Sequence, residues 1–168
     1  MNYHNITHDD MNNGDGLRVV LWVAGCNHHC KNCQNPSTWD PDGGIPFTAK
    51  EVQEIYNELN KDYISGITFS GGDPLYYGNR EEIRKLIQEI KHDFPTKTIW
   101  LYTGYTWEVV LDTPGLIEIA RLVDVLVDGI YDEALRENTY PWAGSTNQRV
   151  IDVQKTILEG RIALHESN

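Results

Sequence analysis

The sequence predicts an α/β fold on a mostly parallel sheet, and three observations carry that expectation. Strand-like and helix-like patterns alternate, single strands stand between helices, and each expected strand runs into a polar or glycine-rich cluster. Parallel strands joined by right-handed crossovers bind ligands at their carboxyl ends, so those clusters are expected along one sheet edge. A closed eight-stranded barrel takes about 250 residues. A chain of 168 residues with four or five such units predicts an open, partial (β/α) barrel, a single domain over residues 1–168.

The elements follow in order. Leu17–Val23 is rich in β-branched and aromatic residues and ends near Gly25, which reads as a buried strand. A loop runs from Cys26 to about Pro46. Thr48 with Glu51 three residues on is a capping box, and Val52, Ile55, Tyr56 and Leu59 then recur on one helical face. Residues 66–69 form a short strand leading into Ser70-Gly71-Gly72-Asp73-Pro74, where the chain must turn. Asn79 is placed to cap a helix with Ile83, Leu86, Ile87, Ile90 and Phe94 on its apolar face, ended by Pro95. Thr98–Tyr102 is the next strand, closed by Thr103-Gly104-Tyr105. A helical region broken by Pro114 runs to Leu122, residues 123–128 form a strand stopped by Gly129, and residues 161–164 suggest one late strand. Trp22, Trp100 and Trp107 are expected to fill core or groove.

Composition excludes several function classes. With 14 Lys and Arg against 25 Asp and Glu the formal net charge is −11, and no run of Lys or Arg offsets it. Such a chain repels phosphate backbones and anionic lipids, so neither a nucleic-acid nor a membrane partner is expected. No apolar stretch approaches the roughly 18 residues of a membrane span. The polar start holds no hydrophobic signal core, so a cytoplasmic location is expected.

The chemistry concentrates in Cys26-Asn27-His28-His29-Cys30-Lys31-Asn32-Cys33, a C-x3-C-x2-C loop that holds all three cysteines of the chain. An odd number of thiols within eight residues is not a disulfide framework; it reads as a metal or redox site. The residues alone leave two readings open. An iron–sulfur cube held by Cys26, Cys30 and Cys33 would keep one iron free for another ligand. A closed Cys3His zinc site, using His4, His8, His28 or His29, would only fix the loop of an interaction module.

Beyond the cysteines, a wide set of residues carries a resemblance: Met1-Asn2-Tyr3, Asn13-Gly14, Gly16, Arg18-Val19, Gly25-Cys26, Asn35, Ser37-Thr38-Trp39, residues 70–75, Trp100, Thr103-Gly104-Tyr105, Val127-Asp128-Gly129 and Asn147-Gln148-Arg149. With these the chain resembles the radical S-adenosylmethionine superfamily. Within it, the chain is most similar to the activating proteins of anaerobic (class III) ribonucleoside-triphosphate reductases. The resemblance implies a [4Fe–4S] cluster on Cys26, Cys30 and Cys33, with S-adenosylmethionine on the open iron. It also implies one-electron reduction by a donor of unstated identity, cleavage to a 5′-deoxyadenosyl radical, and removal of a glycine α-hydrogen from the reductase, its partner. A formate-lyase-type glycyl radical enzyme is the alternative target, and homodimerisation stays open.

The resemblance further implies that Gly71, Gly72 and Asp73 contact the methionine amino group and that Asn32, Cys33 and Gln34 cradle the adenine with main-chain groups. Asn32 and Gln34 stand where relatives often have aromatic residues, which leaves backbone contacts there. Thr103 and Asp128 are implied pocket residues, with a tight turn and a helix cap as their plainer readings. His28 is read as supporting the site rather than ligating.

Overall fold

The computed structural model describes residues 1–31, 33 and 35–167. Seven strands form one open sheet in the order β3-β1-β2-β4-β5-β6-β7. They are β1 (Asn2–Asp10), β2 (Leu17–Val23), β3 (Ile45–Pro46), β4 (Ile64–Gly71), β5 (Thr98–Tyr102), β6 (Val125–Asp128) and β7 (Arg149–Asp152). The centre, β2-β4-β5-β6, is parallel; β1 on one side and β7 on the other run antiparallel to it, and the short edge strand β3 pairs antiparallel to β1. The sheet does not close.

Helices α1 (Ala49–Leu59), α2 (Arg80–Asp93), α3 (Trp107–Asp112) and α4 (Pro114–Ala120) connect the parallel strands, and α5 (Val153–Glu159) follows β7. Because the central strands follow one another in sequence order, crossovers of one hand put every helix on the same face. The core reflects this. Val19, Leu21, Val23, Ile67, Phe69, Ile99, Leu101, Leu126 and Ile151 meet Ile55, Leu59, Ile83, Leu86, Ile87, Ile90, Trp107, Val110, Leu116 and Ile119 in one buried cluster. Alternate residues point to the opposite face, where Trp100, Val125, Val127 and Val150 form a smaller cluster with Tyr102, Trp142 and Ala143.

That second face also buries Arg18 completely. Its guanidinium is satisfied by neutral acceptors: the hydroxyls of Thr68 and Thr98 at 2.9 Å and the carbonyls of Asp15, Ile67 and Thr98 at 2.8–2.9 Å. Burial lowers its pKa to about 10.

Local signals act largely as expected. Thr48 and Glu51 form the capping box of α1, and Glu51 Oε2 accepts from the Thr48 amide at 2.7 Å. Pro114 opens α4 and so divides the helical region in two. Trp100 and Trp107 are buried packing residues. Three expectations are corrected. Asn79 precedes α2 but makes no side-chain cap; its amide instead donates to the Ala24 carbonyl at 2.8 Å, tying α2 to the end of β2. Residues 161–164 form no strand, and a single bridge joins Leu164 to Ile151. The polar start forms β1, and β7 with α5 occupies the stretch where the sequence pattern blurs.

Candidate functional site

The four clusters expected on one edge do meet. At the carboxyl ends of β2, β4 and β5 lies an open cleft of about 580 Å³, lined by Cys26, Cys30, Cys33, His28, Gly71, Gly72, Thr103 and Gly104, among others. That volume suits a nucleoside-sized molecule. Its far wall is the segment 129–148, which contributes Tyr131, Tyr140 and Trp142. Trp142 packs edge-on against Trp100 with ring centroids 5.7 Å apart, and its carbonyl accepts the Tyr102 hydroxyl at 2.6 Å.

The cysteine loop leaves β2 at Gly25, whose amide donates to the Thr38 carbonyl at 2.7 Å, while the Cys26 amide donates to Trp39 at 3.1 Å. All three thiols are free and half-buried. Burial pushes the Cys26 and Cys30 thiols up; at Cys30 the facing Tyr131 amide offsets this in part. An iron ion reverses that direction, since a coordinated thiol is deprotonated outright.

Gly71 and Gly72 bring bare backbone to the cleft. Gly71 has φ +106°, and a Cβ there would meet the Val23 amide nitrogen at 2.5 Å. A Cβ on Gly72 would stand 2.5 Å from the Gly25 carbonyl oxygen, beside Cys26. Only glycine leaves β4 this close to the cysteine loop.

The two expected carboxylates sit behind the wall rather than in it. Asp73 is 1% exposed. Its Oδ2 accepts from His28 Nε2 at 2.7 Å and from the Thr103 hydroxyl and Gly104 amide at 2.9 Å, and its Oδ1 accepts from the Leu75 amide at 2.8 Å. Asp128, also 1% exposed, accepts from the Trp107 amide at 2.8 Å and the Arg149 amide at 2.9 Å, and pairs with the Arg149 guanidinium. The helix-cap reading of Asp128 therefore applies, to α3, which precedes it in the chain. Asn32 and Gln34 lie outside the described residues.

Asn147-Gln148-Arg149, unplaced from sequence, holds the far wall. Asn147 donates to the Ile130 carbonyl at 2.8 Å. Gln148 accepts from the Gly144 and Ser145 amides at 3.0 and 3.1 Å and donates to Gly129 at 3.1 Å. The bonds to Ile130 and Gly129 join residues 17 and 19 positions apart, so no local pattern announces them. The His28–Asp73 bond, across 45 residues, is equally hidden from the sequence.

The donor set fits an iron–sulfur cube better than a closed zinc site. His28 is committed to Asp73, His8 lies against Glu54 and Glu58, His29 stacks on Trp39 at 4.6 Å, and His4, whose buried Nε2 has no hydrogen-bond partner, is not among the residues that line the cleft. Among the described residues no three His, Cys, Asp or Glu side chains stand gathered as a ready cage. A cluster held by Cys26, Cys30 and Cys33 would need their thiolates to draw together as it binds.

Comparison with known proteins agrees. Residues 12–151 match the family model of a 4Fe-4S single cluster domain, which decides the choice between iron–sulfur and zinc left open by the loop. The anaerobic ribonucleoside-triphosphate reductase-activating protein of Enterobacteria phage T4 is 47% identical over 89% of this chain and 93% of its own length. Proteins of the same name from Escherichia coli K12 and Vibrio cholerae are 41% and 38% identical, over 89% and 88% of this chain and 97% and 96% of theirs. No helix among the described residues is long and apolar enough to cross a membrane. The match extends nearly end to end and includes the cleft and both walls: the chain belongs to the family of anaerobic ribonucleoside-triphosphate reductase-activating proteins.

Proposed function

We propose that this chain activates an anaerobic ribonucleoside-triphosphate reductase by radical chemistry, installing a glycyl radical on that partner. One observation carries the reading: the three cysteines of the chain all face one cleft beside a bare glycine backbone, with no fourth cysteine to close a cluster. A [4Fe–4S] cluster bound there, with S-adenosylmethionine on its open iron, would supply reductive cleavage to a 5′-deoxyadenosyl radical able to take a glycine α-hydrogen.

The protein's part is placement and exclusion of water. Cys26, Cys30 and Cys33 hold the metal. Gly71 and Gly72 leave main-chain groups open to the ammonium and carboxylate of the methionine part. Cys33 would border the adenine, and the resemblance assigns the same part to Asn32 and Gln34, which lie outside the described residues. Thr103 and Asp73 support the wall between β4 and β5, and Asp128 fixes the end of β6 that carries the far wall. The one-sided winding of β2-β4-β5-β6 supports reading the sheet as the partial barrel of the superfamily, its open side admitting a segment of the partner. The reducing electron would come from a separate one-electron donor.

The test is anaerobic reconstitution with iron and sulfide, dithionite reduction, and chromatographic assay of 5′-deoxyadenosine after adding S-adenosylmethionine. Product is expected from the wild type and none from Cys30→Ala. Tightly held zinc with no product would overturn the proposal. Adding the reductase and recording its glycyl radical by electron paramagnetic resonance separates this target from a formate-lyase-type one.

A further inference from the structure

We infer that His28 is a positioning residue, whose bond to Asp73 latches the cysteine loop to the ends of β4 and β5. The latch sets where a cluster held by Cys26, Cys30 and Cys33 stands against the wall at Gly72 and Thr103. This rests on the function proposed above and deepens it, because it names what holds the metal loop in register.

The loop needs such a tie. Its described backbone bonds lie at its ends or within it: Gly25 and Cys26 donate to Thr38 and Trp39, and the Cys33 amide donates to the Cys30 carbonyl at 3.1 Å. The Asp73 amide also donates to the Gly25 carbonyl at 2.7 Å, tying the loop's first residue to the end of β4, but none of these bonds carries residues 26–33 to β4 or β5. The His28 ring does, through Nε2 donating to Asp73 Oδ2 at 2.7 Å. That same oxygen accepts the Thr103 hydroxyl and the Gly104 amide, so one atom joins the metal loop to the end of β5. The second oxygen accepts from Leu75, which keeps the carboxylate from turning.

A socket is built around the ring. Tyr105 packs edge-on against it at 4.8 Å and 81°. Arg80 donates to the Tyr105 hydroxyl at 3.4 Å, backing that wall. The floor is Gly104, where a Cβ would stand 2.4 Å from His28 Cδ2. Three elements, the loop, β4 and β5, thus close on a side chain that is 16% exposed and bonded to a carboxylate that is 1% exposed. A solvated loop histidine has no such surroundings.

The experiment uses full-length protein reconstituted anaerobically with iron and sulfide, as wild type, His28→Ala, His28→Gln, Gly104→Ala and His28→Ala/Gly104→Ala. Two readouts go beyond activity: the rate at which a ferrous chelator strips the cluster, and the electron paramagnetic resonance line shape of the reduced cluster before and after S-adenosylmethionine. His28→Ala is expected to lose iron about ten- to a hundredfold faster, the usual effect of removing a partner that orients a metal site. Its resonance should shift less on adding S-adenosylmethionine. Gln carries an amide donor and should restore part of both. Gly104→Ala, which leaves His28 and Asp73 in place but fills the socket, should copy His28→Ala. The double variant should be no worse than His28→Ala, because the ring that would collide is gone. If His28→Ala fails to fold, His28→Gln and Gly104→Ala carry the test. Stripping rates and line shapes within twofold of wild type in Gly104→Ala and His28→Ala would overturn the latch. A wild type that takes up no cluster would overturn the latch and the proposed function together.

Discussion

Asp73 and Asp128 stand two strands apart on one sheet edge, each 1% exposed and each spent on donors within the protein. What they hold differs. Every partner of Asp128 belongs to a regular element: the Trp107 amide opens α3, and Arg149 begins β7. Arg149 also donates to Glu108 at 2.7 Å, so one cation is shared by two acids. Hydrogen bonding to those acids raises the guanidinium further above its ordinary value and, in return, lowers the Glu108 carboxyl. Asp73 instead gathers a loop histidine, a hydroxyl and two amides just past strand ends. The contrast teaches that burial and position do not assign a role to an acid at a strand end. The rigidity of its partners does: Asp128 secures the frame, and Asp73 secures a loop to the frame.

That division can be broken by experiment. The largest effect on global stability is expected from Asp128→Ala, which leaves the Trp107 and Arg149 amides without their acceptor and the Arg149 guanidinium held by Glu108 alone, and should cost about 3 kcal/mol. A urea midpoint equal to wild type would remove Asp128 from the frame. Asp73→Ala leaves the Thr103 hydroxyl and two amides without their acceptor, and a loss of about 2 kcal/mol is expected. Its larger signature should be faster cluster stripping by a chelator. If Asp128→Ala strips faster than Asp73→Ala, the two roles have been exchanged.

The smallest effect comes from a third carboxylate, Glu51, which belongs to neither and serves as a control. Its bonds to Thr48, and more weakly to Tyr3, hold the carboxyl down from 4.5 to about 2. A folded-state value below the unfolded one adds stability that is complete above 4.5 and is lost as pH falls toward 2. The wild-type urea midpoint should therefore drop between pH 5 and pH 3, and Glu51→Gln should flatten part of that drop. An unchanged slope would show that the cap does not titrate with folding.

The central strands could be read from sequence because they are buried on both faces. Leu17–Val23 and Thr98–Tyr102 have the bounds their apolar runs suggest. The edges hid for the same reason in reverse. Only Tyr3 and Ile6 of the nine residues of β1 are buried, so no apolar run marks it. β7 has four residues, half of them polar, and the pull of Arg161-Ile162-Ala163-Leu164 drew the expected strand past it. At the site, the thiols and glycines declared themselves through spacing. His28 with Asp73, Asp128 with Arg149, and Gln148 with Gly129 are joined only by folding.

The strand order has a consequence for synthesis. Apart from β3, each strand lies beside its predecessor in the chain. A sheet laid down in that order can take each strand onto a waiting edge as it leaves the ribosome, in keeping with amino-terminal-first folding during translation. The far wall, with Tyr131, Tyr140 and Trp142, and β7 behind it are made last. The cysteine loop is thus translated more than a hundred residues before β7 closes the sheet, and until then it lacks the wall that later faces it across the cleft.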